Sequence, residues 1–124
     1  MIQKLFAVIA VATSVLSFNG AFAHGEKPKH GGVVQVASDM SFELVSKGDV
    51  ATIYVEDHGK PVSTAGMNGK LTVLNGTEKS EAELKPAGDN KLEAQGVKLA
   101  KGAKAVASVT TARKKTINVR FAVK

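Results

Sequence analysis

Cysteine is absent from all 124 residues, which excludes a disulfide framework and any thiolate metal site and leaves burial as the source of stability. No serine sits in a nucleophile-elbow context, and no glycine-rich phosphate loop joins a strand to a helix. Paired carboxylates occur as Glu56-Asp57 and as Glu81 with Glu83, but strand alternation places the second pair together on a solvent face. The expectation is therefore a protein that is not an enzyme. Stretches of helical period are also scarce, and after residue 23 no apolar run is long enough to enter a membrane.

The one long apolar run lies at the start. Met1-Ile2-Gln3-Lys4 is short and basic, Leu5 to Leu16 carries no charge, and Ser17, Asn19 and Gly20 lead to the small-x-small triplet Ala21-Phe22-Ala23. That order predicts a secretory signal helix, residues 1–23, cleaved after Ala23. The run is about a dozen residues, short of the roughly 20 a spanning helix needs. Cleavage leaves residues 24–124, one domain with a modest core and no membrane span.

Net charge is +6 for the whole chain, Lys4 included. An exported protein whose lysines are spread between acids is not expected to bind nucleic acid. The one cluster, Arg113-Lys114-Lys115, has no aromatic neighbours on which bases could stack and reads as a solvated turn.

From Gly32 onward apolar residues recur with period two, as in Met40, Phe42 and Leu44, then Ala51, Ile53 and Val55, and finally Ile117, Val119, Phe121 and Val123. Turn residues interrupt the pattern every eight to twelve positions or so. Strands are expected near 32–37, 40–46, 50–56, 69–75, 80–85, 91–95, 104–111 and 116–123. This predicts an all-β fold, a single small antiparallel β-sandwich of immunoglobulin type over residues 32–124. Asn75-Gly76 suggests a type I′ hairpin, and Asn75-Gly76-Thr77 also matches a glycosylation sequon. Residues 24–31, with Pro28, Gly25 and several charges, are expected to form a mobile arm unless something ties them down.

The histidines stand apart from this background. Imidazole is the commonest side-chain ligand for transition metals, and its neutral form is the one that binds. Cleavage after Ala23 would give His24 a free α-amine with an ordinary pKa of about 8. The amine and Nδ1 then close a six-membered chelate that suits the square-planar preference of Cu(II). His30 supplies a further nitrogen on the same arm. His58 sits in Asp57-His58-Gly59-Lys60-Pro61, which is equally the composition of an ordinary turn. Met67 lies in the glycine-rich Ala65-Gly66-Met67-Asn68-Gly69, where its thioether is a ligand type for Cu(I). His24, His30, His58 and Met67 are the candidate metal ligands.

The runs His30-Gly31-Gly32-Val33-Val34, Phe42-Glu43-Leu44-Val45 and Tyr54-Val55-Glu56-Asp57-His58-Gly59-Lys60-Pro61-Val62 resemble small periplasmic proteins of proteobacteria associated with heavy-metal resistance and metal efflux. A similar segment occurs in the β-sandwich of adaptor subunits of metal-exporting pumps, and the likeness spans about residues 30–96. The resemblance implies a periplasmic sandwich working beside copper, nickel, cobalt or zinc export. His24 also matches the copper-resistance C family, whose mature proteins begin with a histidine that chelates Cu(II). Three functions follow as expectations. The first is a periplasmic protein that buffers or hands on copper. The second is a metal-independent module docking on an efflux-pump adaptor or envelope component. The third is a histidine-brace oxidase, disfavoured by the small domain and by two histidines on one short arm.

Overall fold

A computed structural model describes residues 27–124. The expected signal helix, its cleavage site and His24 lie outside the described residues. Nine strands follow one another: β1 (Val33–Ala37), β2 (Met40–Lys47), β3 (Val50–Asp57), β4 (Lys60–Pro61), β5 (Asn68–Asn75), β6 (Glu78–Pro86), β7 (Lys91–Gln95), β8 (Lys104–Thr110) and β9 (Thr116–Ala122). The eight expected strands are all present within one residue of their ends, apart from the start of β6, which lies two residues earlier. The ninth, β4, is a two-residue strand on the edge of β3, where Pro61 withholds no hydrogen bond the sheet requires. No helix among the described residues is long and apolar enough to cross a membrane.

All pairings are antiparallel, in the order β1-β2-β3-β7-β6-β5-β8-β9 with β4 beside β3. The hydrogen bonds draw one continuous path. Its two halves join through only two residue pairs, Lys85 with Glu93 and Pro86 with Leu92. The path curls until β9 returns against β1, giving a nearly closed, barrel-like shape.

Period-two patterning places the core inside this curl. On β9, Ile117, Val119 and Phe121 are buried while Thr116, Asn118, Arg120 and Ala122 are exposed. Large and small side chains face each other across the ladders: Phe121 pairs with Ala105, which pairs in turn with Val73. That alternation lets the inner faces interdigitate. The β5–β6 turn is Gly76-Thr77, closed by Asn75 opposite Glu78. Only Gly76 has a positive φ, 62°, the pattern of a type II′ turn in place of the expected I′. Asn75 stays in the strand and uses its amide on the following loop, donating to the Lys98 carbonyl at 2.9 Å and accepting from Ala100 N–H at 3.1 Å.

One strand departs from alternation. On β2, Ser41, Phe42, Glu43 and Leu44 are all buried. Phe42 and Leu44 face the core; Ser41 and Glu43 face outward and are covered by the chain that precedes β1.

Candidate functional site

The β2–β3 ladder sets Glu43 opposite Tyr54 and Ser41 opposite Glu56, and β1 sets Val34 opposite Glu43. These side chains make a polar strip on the outer face of β1, β2 and β3. The chain before β1 folds back over it through Gly31, whose φ is 77°. Gly32 follows close against β2, where a Cβ would lie 2.2 Å from the Leu44 carbonyl oxygen. Glycine is required at that position by contact and favoured at Gly31 by conformation.

Glu43 gathers the arm. Its Oε2 accepts from His30 N–H and Gly32 N–H, each at 2.8 Å. Its Oε1 accepts from Lys29 N–H at 3.0 Å and lies 3.1 Å from His30 Nδ1. Burial by itself would raise the carboxyl pKa, but the hydrogen bonds from Gly32, Lys29 and His30 outweigh it and hold Glu43 below its ordinary value. Glu43 is therefore ionised at neutral pH and can only accept. It follows that His30 Nδ1 carries the hydrogen and donates.

Two further contacts complete the strip. The His30 ring stacks on Tyr54 with centroids 3.6 Å apart and planes 2° from parallel. Lys29 Nζ reaches Glu56 at 3.0 Å. A narrow crevice between arm and sheet is lined by Lys27, Lys29, Val34, Ser41, Tyr54 and Glu56 with Glu43. The part of the arm that is described, expected to be mobile, is thus held at residues 29–32 by one carboxylate, one ring and one ion pair.

The sequence-derived candidates fall in different places. His30 is in this strip, with Nδ1 engaged and Nε2 making no hydrogen bond to a described residue. His58 occupies the tip of the β3–β4 hairpin at φ 53°, its side chain 82% exposed and its Nδ1 2.5 Å from Asp57 Oδ1. It lies four positions beyond Tyr54, the residue under His30, about 13 Å along an extended chain, so these two imidazoles are not brought together. Met67 is 7% exposed and belongs to the hydrophobic core. The loop was expected to leave it in polar surroundings. Instead, Thr64 is pinned by its N–H to the Asp89 carbonyl and by its hydroxyl to the Lys91 carbonyl, and Met67 N–H bonds back to Thr64, which turns the thioether inward. Among the described residues no group of three or more His, Asp or Glu side chains converges as a metal site.

Glu43, Tyr54, Lys29 and Glu56 were not among the candidate site residues of the sequence. The signal available was a single carboxylate flanked by Phe42 and Leu44 in a strand with no other acid, with Gly31-Gly32 beside a histidine. Comparison with protein-family models, with curated proteins and with solved structures found no match.

Proposed function

We propose that this chain is an exported, periplasmic, non-enzymatic metal-binding protein that buffers copper or hands it on in heavy-metal efflux. The observation that carries the reading is His30, whose Nδ1 is occupied by a buried carboxylate. Metal-ligating histidines characteristically donate their other ring N–H to such an acceptor, which orients the ring and raises the basicity of the ligating nitrogen. Nε2 of His30 is then the nitrogen available to a metal, on a ring held by Glu43 and Tyr54.

His24 would be the second ligand. With cleavage after Ala23 it contributes an α-amine and an imidazole, and His30 lies six positions on, a span of up to roughly 20 Å when extended. The donors are nitrogens, which favours Cu(II) over the harder cations, with nickel, cobalt and zinc as competitors. His58 and Met67 are lesser candidates, the first because it sits apart and the second because it is buried. An immunoglobulin-type sandwich belongs to the same reading, since β1-β2-β3-β7 and β6-β5-β8-β9 share one core between their inner faces.

The test is a copper titration of the cleaved chain followed by NMR. The His24 and His30 ring resonances should broaden or shift at one equivalent, and extending the N-terminus by one residue should weaken binding sharply. Unmoved resonances would refute the proposal, and unchanged affinity in the extended chain would remove the α-amine from it.

A further inference from the structure

The outer face of β5, β6, β8 and β9 has no segment folded across it among the described residues, unlike the strip under residues 29–32. Register lays its side chains out in rows. Lys79, Leu74, Lys104 and Ala122 form one row, and Glu81, Thr72, Val106 and Arg120 the next. Leu74 is 41% exposed and Val106 37%, and adjacent positions in such rows lie about 5 Å apart. Two aliphatic side chains are therefore embedded among three cations. Lys79 shares Glu81 with Lys70, at 3.8 and 3.7 Å. Lys104 and Arg120 have no carboxylate partner among the described residues. Thr72, Leu74, Lys79, Lys104, Val106 and Arg120 line one groove.

We propose that this groove docks an acidic protein segment, one that places an aliphatic or aromatic side chain on Leu74 and Val106 and carboxylates on Lys104 and Arg120. Charge complementarity selects the partner, because burying two unpaired cations against a neutral surface is costly while pairing them with carboxylates steers and orients the encounter. A lipid surface fits less well. Membrane-surface binding rests on clusters of four to eight or so basic residues and on apolar groups that enter the acyl boundary. Here three cations surround two aliphatic residues set between long side chains on the outer face of the strands. The proposal goes beyond metal binding and does not depend on it, since the groove shares no lining residue with the crevice under the arm.

The experiment uses isotope-labelled cleaved protein titrated with a short peptide of alternating Glu and Leu. The controls are a peptide with Ser in place of Leu, a peptide with Lys in place of Glu, and phosphatidylglycerol vesicles. Amide shifts confined to residues 72–74, 104–106 and 119–121 are expected with the Glu-Leu peptide alone. Affinity should fall about tenfold in Lys104→Glu with Arg120→Glu, and also in Leu74→Ser, whereas Lys47→Glu with Lys60→Glu, an equal charge change at exposed positions elsewhere, should leave it unaltered. Absence of shifts, shifts on other strands, an equal response to the Ser peptide, or a loss matched by Lys47→Glu with Lys60→Glu would overturn the proposal. Binding to vesicles without binding to the peptide would overturn it in favour of a membrane surface. Circular dichroism of each variant verifies that the sheet is intact.

Discussion

The imidazole of His30 lies flat on the phenol of Tyr54, ring centroids 3.6 Å apart. Tyr54 is the only tyrosine, and the chain has no tryptophan, so its emission reports this one contact. A Cu(II) ion held by His30 is expected to quench that emission in proportion to occupancy. In His30→Ala the quenching should disappear, and Tyr54 should emit as an exposed tyrosine. Full quenching in His30→Ala would place the ion elsewhere.

Glu43 is the acceptor on which the arm depends. Replacing it with Ala leaves the N–H groups of Lys29, His30 and Gly32 without their partner, an expected loss of about 2 kcal/mol in urea unfolding. Lys29→Ala should cost less than about 0.5 kcal/mol, because its ion pair with Glu56 involves a half-exposed lysine. Gly32→Ala should mimic Glu43→Ala, since its Cβ meets the Leu44 backbone 2.2 Å away and that backbone is fixed in the ladder. Hydrogen exchange of the three amides distinguishes loss of the arm from global unfolding.

The same carboxylate sets a pH dependence. Its pKa in the fold lies below the ordinary 4.5, so its ionised form is the one the native arrangement favours. The stability it contributes is complete above that ordinary value and is lost as pH falls through the lower folded value. Protection of the Lys29, His30 and Gly32 amides should therefore be flat from neutral pH to about pH 5 and decline only in more acid solution. A decline beginning above about pH 5 would show that a group other than Glu43 controls the arm.

Met67 separates packing from ligation. Met67→Leu preserves volume and should cost less than about 1.5 kcal/mol, while Met67→Ala opens a cavity and should cost about 3 kcal/mol. Copper titration of Met67→Leu should match that of the parent chain. A weaker Cu(I) affinity in that variant would return the thioether to the metal site.

Strand positions were legible because they depend on local alternation, and a side chain's face is settled by parity along its own strand. Phe42, Leu44, Val119 and Phe121 could be assigned to the core on that basis alone. Parity also marked Ser41 and Glu43 as outward-facing, and they are. Their burial was not legible, because it comes from a segment more than ten residues upstream that crosses the strand. Met67 failed for a related reason: its loop has polar composition, but Thr64 holds that loop against backbone carbonyls of Asp89 and Lys91. Such distant pairings leave no period in the sequence.

By itself the sequence determined an all-β, antiparallel chain, the placement of its strands and turns, and an arm with a histidine followed by two glycines. Only the tertiary structure decided that the strands form one curled path and that Glu43 anchors the arm. It also decided that His30 presents Nε2 while His58 stands apart. Alternation specifies which face of a strand is apolar; strand order and the approach of one segment over another depend on hydrogen bonds between residues far apart in the chain.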